Sequence, residues 1–282
     1  MVLGVDTSCY RTSLALADGA EILAQSGRLL EVPAGERGLR QSDMLFQHVK
    51  RLPELLEALM ARVEGPVGAV AVSVKPRPAE DSYMPVFTAG ACVARSVASA
   101  LHVPLIETTH QQGHVRAALV GCDLPAEFLA IHLSGGTTEV LKVGENLAID
   151  LLGGTADISA GQLVDRVGVA LGLPFPAGPH LEALAVKGEA RSTLPVSVSR
   201  MSCSLSGAEA ALMRLIQAGA AAENVAAEVY SLLARTLARL ISQAASQTGL
   251  TDALLAGGVA SSALLRNLLP ERLKRLNADV RV

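Results

Sequence analysis

The sequence predicts an α/β fold built from two similar halves, and three observations predict it. Short apolar β-rich runs alternate with segments of helical periodicity. A strand–turn–strand unit occurs twice, half a chain apart. Of 282 residues, 50% are hydrophobic and 18% charged, with a net charge of −3, so the chain holds apolar surface enough for one large core or two ordinary ones. The same balance excludes disorder as the main state, because disordered chains lack the apolar surface that offsets chain entropy. It also excludes a strongly basic nucleic-acid binder, so any RNA contact uses a local patch. Trp is absent and aromatic residues make up 2%, which argues against gripping single strands by base stacking. Cys9, Cys92, Cys122 and Cys203 show no CxxC spacing, the pattern of a reducing compartment and not of a structural zinc site. The start, MVLGVDTS, lacks the basic region and apolar stretch of a signal peptide. No run of about 18–20 apolar residues is present to span a bilayer. The expectation is a soluble cytoplasmic protein with no membrane partner.

Taken in order, strands are expected at residues 2–5 and 12–17. A helix follows from Ser42 to about Val63, with Leu45, Val49, Leu52, Leu56 and Leu59 at three-to-four spacing. Ser42 is its expected cap, and Pro53 its expected kink. A strand at 69–74 precedes a helix at 86–101 whose small residues suit tight internal packing. Thr108 or Thr109 caps a further helix that carries His110. Strands at 127–133 and 138–143 come next, then helices at 161–171 and 222–248, the latter stopped by Gly249. A last strand at 253–256 leads into a new helix.

The repeat sets the fold. VLGVDTSCYRTSLALADG, from Val2, and FLAIHLSGGTTEVLKVGE, from Phe128, align at an offset of 126 that pairs Ser8 with Ser134, Thr12 with Thr138 and Leu14 with Val140. Two like domains with a cleft between them follow from a true duplication; two unrelated hairpins share the same Gly, Ser and Thr chemistry by chance.

Four motifs carry candidate chemistry. Asp6, Thr7 and Ser8 close the first strand, and Ser134, Gly135, Gly136, Thr137 and Thr138 hold the equivalent place in the second copy. Glycines let backbone N–H groups approach an anion and hydroxyls add donors, so the paired turns suit a polyphosphate; plain hairpin turns are the alternative. Neither matches GxxxxGK[ST]. In His110-Gln111-Gln112-Gly113-His114 the i, i+4 spacing puts both imidazoles on one helical face, within reach of one divalent ion, or leaves two ordinary surface histidines. Gln111 stands where the zinc-peptidase pattern HExxH needs Glu. Gly257 and Gly258, between a strand and the segment ending at Ser262, let a flat ligand lie against backbone. Asp165, one helical turn after Gly161, can accept ribose hydroxyls, or pairs with Arg166 on a solvated face.

In this order the pieces resemble the TsaD/Gcp (YgjD) family of the actin–sugar kinase–Hsp70 (ASKHA) ATPase superfold. The resemblance rests on DTSC at 6–9, HQQGH at 110–114 (family HxxGH), SGGTT at 134–138 (SGGHT), SAGQLVDR at 159–166 (AAGEAFDK), LGLPFPAGP at 171–179 (LGLxYPGGP), SCSLSGAEA at 202–210 (FSFSGLKT) and AGGVASS at 256–262 (AGGVSAN). It implies two actin-like domains, residues 1–124 with the histidine pair and 125–282 with the nucleotide loops, around a central nucleotide cleft. It implies threonylcarbamoyl transfer from threonylcarbamoyl-AMP to N6 of the adenosine beside the anticodon of tRNA. His110 and His114 are then ligands of a divalent metal, iron or zinc, and ATP or an acyl-adenylate with Mg is the nucleotide. Asp6, Ser8, Gly257 and Gly258 line the nucleotide site. His132, Leu133, Ser134, Gly135 and Gly136 contact the phosphate and acyl end, Asp165 and Gly178 the nucleoside, and Ser262 the adenine or ribose. Implied partners are tRNA, TsaB-like and TsaE-like proteins, and a homo- or heterodimer; Arg266, Arg272, Lys274 and Arg275 form a candidate tRNA patch or a solvated helix face.

The chain departs from the family pattern at Thr137 (family His), Gln162 (Glu), Glu209 (Lys) and Ser262 (Asn), and residues 75–85 replace a GPG loop. The chain ends at Val282, before the segment in which the family carries a third metal ligand, an Asp; a divergent or truncated paralogue is the expectation. Three rival readings follow: a non-catalytic nucleotide-binding partner or regulator, a metallopeptidase under the family's older glycoprotease label, and a small-molecule kinase of the same superfold.

Overall fold

Alternation along the first strand decides which face is buried. β1 (Val2–Asp6) buries Leu3 and Val5 and leaves its other residues half-exposed, the period-2 signature of a sheet covered on one face. The structure, a computed structural model, describes residues 1–8, 10–33, 38–191 and 194–282; Cys9, the last residue of DTSC, lies outside the described residues. The chain divides into two compact units, residues 1–113 and 114–282.

In the first unit, β2 (Arg11–Asp18) pairs antiparallel with β1 and with β3 (Glu21–Leu29). α1 (Gln41–Met60), β4 (Ala69–Lys75), α2 (Phe87–Leu101) and β5 (Leu105–Thr109) follow. β4 lies parallel to β1, and β5 parallel to β4, giving the order β3-β2-β1-β4-β5. Leu52 and Leu59 of α1 and Ala89, Ala94 and Ala98 of α2 pack with Leu3, Val5, Leu14, Leu16, Val70 and Val72. The small residues of α2 serve this packing: Gly90 N donates to the buried Thr7 Oγ1 at 3.1 Å, and a Cβ on Gly90 would stand 2.8 Å from that oxygen.

α1 corrects the expected cap. It begins one residue before Ser42, with Arg40 in the extended cap position and no side-chain cap, so the Ser42 hydroxyl lies inside the first turn. The helix runs on through Pro53 and ends at Met60, three residues short of Val63. α3 (His110–Ala118) leads from the first unit's residues to the second's. Thr109 is its cap: Thr109 Oγ1 accepts from Gln112 N at 3.2 Å, and Gln112 Oε1 accepts from Thr109 N at 3.2 Å, a reciprocal capping pair.

The second unit comprises β6 (Phe128–Leu133), β7 (Thr138–Val143), β8 (Ile149–Thr155), α4 (Ala160–Ala170), α5 (Gly178–Ala185), β9 (Ser197–Ser199), β10 (Ser202–Ser204), α6 (Ser206–Gln217), α7 (Ala222–Thr248), β11 (Ala253–Ala256) and α8 (Ala263–Arg275). Its sheet order is β11-β6-β7-β8-β10-β9. β6 is buried along its whole length: Leu129, Ile131 and Leu133 face one cluster, Phe128 and Ala130 another. α7 is buried on most of its surface, with Val229, Leu233, Leu237, Leu240 and Ile241 in the main cluster, and it stops at Gly249 at φ 74°, the left-handed position glycine fills without strain.

The two units repeat one pairing scheme. In each, a strand forms an antiparallel hairpin with the next, which pairs antiparallel with a third, while a later strand lies parallel on the first strand's other side. β3, β5, β8, β9 and β10 were not expected. β3 and β5 are sheet edges with much of their surface exposed, so alternation is lost. β8 contains Gly153 and Gly154, which read as a breaker. A Cβ on Gly153 would stand 2.0 Å from Met201 O, and one on Gly154 would stand 2.3 Å from Thr138 O, so neighbouring backbones require glycine there. Among the described residues, no helix is long and apolar enough to cross a membrane.

Candidate functional site

The second unit brings three of the glycine motifs to one end of its sheet. β11 runs parallel to β6 with Ala256 opposite His132, so SGGTT and Gly257 leave adjacent strands at the same end. α4 starts against the same turn: Ser159 Oγ donates to Gly135 O at 2.8 Å, and Ala160 N to Thr138 Oγ1 at 2.7 Å. Two glycines make this approach possible. A Cβ on Gly161 would stand 2.5 Å from Ser134 O, and one on Gly257, at φ 100°, 2.3 Å from Leu133 O. Gly135, Gly136 and Gly258 differ, since a Cβ on each would meet nothing within 4 Å. That open backbone is the side from which an anion can approach.

The turn is tied by its own hydroxyls. Ser134 Oγ accepts from Gly136 N at 3.3 Å and Thr137 N at 3.1 Å, and lies 2.7 Å from Thr137 Oγ1. Thr137 Oγ1 is also 3.2 Å from His132 Nδ1. Leu133 has a fully buried side chain, so it offers a ligand only backbone. Asp165, on α4, accepts from Ala177 N at 2.8 Å and so ties that helix to the residue before Gly178. Desolvation raises its carboxyl above the ordinary value, against the lowering effect of the Ala177 bond. Gly178 O accepts from Tyr230 OH at 3.2 Å. Ser262 Oγ accepts from Leu265 N at 3.1 Å and caps α8.

In the first unit, Asp6 Oδ1 accepts from Ser8 N at 2.8 Å and from the Ser8 hydroxyl, and Asp6 Oδ2 lies 3.0 Å from His110 Nδ1. Burial pushes the Asp6 carboxyl up, but the His110 ring and the Ser8 donors outweigh it and hold the carboxyl well below the usual range. Phe87 meets His110 edge-on with ring centroids 6.3 Å apart.

In the second unit, the His114 and His132 rings lie 5.1 Å apart, tilted by 43°. His132 is 2% exposed. Its Nδ1 faces Thr137 Oγ1 and, at 3.5 Å, Glu139 Oε2, while its Nε2 is buried without a hydrogen-bond partner. Among the described residues no group of three or more His, Cys, Asp and Glu is arranged to hold a metal ion. The histidine donors nevertheless suit a borderline divalent ion such as zinc or iron, and the orphaned imidazole nitrogen beside His114 is the kind of donor such an ion satisfies.

Two residues of this unit escaped sequence reasoning. Glu139 faces His132 across the hairpin, a pairing that follows once Gly135 and Gly136 are taken as the turn centre. Asp157 accepts from Leu205 N at 2.8 Å, Ser206 N at 3.2 Å and the hydroxyls of Ser204 and Ser206 at 2.6 Å, anchoring the start of α6. No motif flags a lone Asp that acts at such sequence distance. Glu209, where the family carries Lys, pairs with Arg166 at 3.0 Å.

Comparison with known proteins bears on this geometry. A family profile described as TsaD, tRNA N6-adenosine threonylcarbamoyltransferase, matches residues 43–282. A tRNA N6-adenosine threonylcarbamoyltransferase of Aromatoleum aromaticum is 32% identical over 293 aligned residues, covering 99% of this chain and 84% of that protein. One of Geobacillus thermodenitrificans is 29% identical, covering 98% and 83%. Among solved structures, HypF of T. kodakarensis superposes with a TM-score of 0.63 at 15% identity, over 97% of this chain and 44% of that one. A ROK family glucokinase of Streptomyces griseus superposes with a TM-score of 0.55 at 14% identity, over 97% and 88%. At these identities the structures show the fold alone, and that fold is the ASKHA type.

Proposed function

The chain belongs to the TsaD family of tRNA N6-adenosine threonylcarbamoyltransferases, and from that premise we propose that it moves a threonylcarbamoyl group from threonylcarbamoyl-AMP to N6 of the adenosine beside the anticodon of a tRNA. As a member of a transferase family it is an acyltransferase. The observation that carries the specific reading is the meeting of SGGTT, the start of α4 and Gly257 at one sheet end, with Gly135, Gly136 and Gly258 facing open space.

The tRNA amine attacks the carbamoyl carbonyl carbon, the bond from that carbon to the phosphate oxygen breaks, AMP leaves with the electron pair, and the amine gives up a proton to solvent. Gly135 and Gly136 bring backbone to the phosphate, and the Ser134 hydroxyl holds the turn in shape for it. Asp165, one oxygen held by Ala177 N–H, offers the other to the nucleoside. The Asp6 carboxylate lies against His110 Nδ1 and orients that ring. His110 and His114 would be the ligands of a divalent ion, iron or zinc, which would supply Lewis-acid polarisation of the carbonyl. The remaining work is orientation of two large reactants. For the tRNA, Arg266, Lys274 and Arg275 are exposed on α8 and Arg272 is half-buried there.

The experiment is reconstitution of the full chain with TsaB-like and TsaE-like partners, ATP, threonine, bicarbonate and tRNA, with mass spectrometry of the nucleosides. Threonylcarbamoyladenosine is the expected product. Its absence, when an active homologue succeeds under the same conditions, overturns the reading.

A further inference from the structure

The arginines of α7 carry more charge than their surroundings answer. Arg235 and Arg239 lie one turn apart, on one side of the helix. Both donate to the segment that leads into β9: Arg235 Nη1 to Leu194 O at 2.8 Å and Arg239 Nη1 to Val196 O at 3.3 Å. Arg235 Nε also donates to Ser231 O at 3.4 Å. Arg235 Nη2 is buried and meets no hydrogen-bond partner. A buried charged donor left without an acceptor costs more free energy than a neutral one, and such an atom calls for an explanation such as a bound ion.

A third arginine deepens the imbalance. α8 packs against α7, and its Leu269 and Leu273 join α7 side chains in the main cluster. Arg272, between those leucines in sequence, is half-buried and acts on Arg235 as a like charge. Burial first, then Arg272, draws the Arg235 guanidinium below its ordinary value; the buried Glu228 opposes this and Arg239 adds to it. Three arginines thus stand against one carboxylate. A guanidinium does not shed its proton in a protein, so an anion, and not proton loss, relieves the repulsion. Guanidinium forks match the oxygens of a phosphate two at a time, and Arg239 is exposed, which opens the cluster to a ligand from solvent. We propose that Arg235, Arg239 and Arg272 form a phosphate-binding site between α7 and α8. From Ser262 to Arg272 the helix advances roughly 15 Å, so the site is separate from the glycine turns, and it does not rest on the transfer reading.

The test is calorimetry and thermal unfolding of the full chain with inorganic phosphate, against chloride at equal ionic strength. Phosphate binds the wild type and raises its melting temperature above that in chloride, since a ligand of the folded state stabilises it. Arg272→Met keeps an apolar stem and removes the charge. It binds phosphate at least about tenfold more weakly and, in chloride alone, melts no lower than the wild type because a repulsion is gone. Arg239→Gln weakens binding likewise. A wild type indifferent to phosphate overturns the site and leaves the arginines as staples of the segment before β9. Binding that both variants keep belongs elsewhere and also overturns it, as does a lower melting temperature of Arg272→Met in chloride, which makes that side chain part of the fold. Titration of tRNA across salt concentrations identifies the source of the phosphate. If both variants weaken tRNA binding and flatten its salt dependence, the phosphate is that of the RNA backbone; if they leave it unchanged, the ligand is free phosphate.

Discussion

Asp157 shows how one carboxylate can hold a segment far from it in sequence. Burial raises its carboxyl, but donors from Leu205, Ser204 and Ser206 outweigh this and hold it well below the usual range. In the unfolded chain the group returns to about 3.9, so it stabilises the fold above that pH and loses the effect as pH falls toward the folded value. Asp157→Asn is therefore expected to lower the melting temperature at neutral pH, at a cost of about 1 kcal/mol, as for a lost helix cap. The gap between variant and wild type begins to narrow below about pH 4 and goes on narrowing as pH falls, which thermal unfolding across that range checks. The cysteines separate by the same logic. Burial pushes the Cys203 thiol up to about 11, while Cys92 and Cys122 are exposed. A thiol reagent at mildly alkaline pH is expected to label Cys92 and Cys122 in the native protein and Cys203 only after unfolding; peptide mapping reads the result.

At the scale of elements, the contact between α4 and the SGGTT turn is set by the absence of a side chain. Gly161→Ala places a methyl 2.5 Å from Ser134 O and 2.6 Å from Gly135 Cα, atoms of backbone that cannot rotate away. The expected cost is about 1–3 kcal/mol, measured by denaturant unfolding. Gly135→Ala meets nothing within 4 Å and is expected to leave stability within about 0.5 kcal/mol of wild type, while weakening nucleotide binding by filling the open side of the turn. Equal losses of stability in the two variants would show that the turn is not held as described.

For the molecule as a whole, each unit carries a main apolar cluster of its own. Leu52 in the first unit and Leu240 in the second are both fully buried and belong to separate clusters. Truncating either to Ala removes about the same apolar volume, and each variant is expected to lose about 2–5 kcal/mol in denaturant unfolding of the full chain. The duplicated pairing scheme explains why both units need such a core: each is a sheet with apolar faces to cover.

Periodicity and glycine spacing sufficed to read from the sequence the duplicated hairpins, the long helix ending at Gly249 and the capped helix bearing His110 and His114, because each is a local pattern that sterics and hydrophobic burial translate into structure directly; the TsaD family was legible only through the resemblance of its ordered motifs. The edge strands, the true start of α1, the anchoring by Asp157 and the pairing of Glu139 with His132 depend on contacts between residues that the pattern does not link. Only the folded chain decided that Gly161 and Gly257 stand against the backbone of β6 and its turn while Gly135 and Gly136 face open space. Whether a glycine is a gap for a ligand or a fit for a neighbour is set by what packs beside it, and packing is a property of three dimensions.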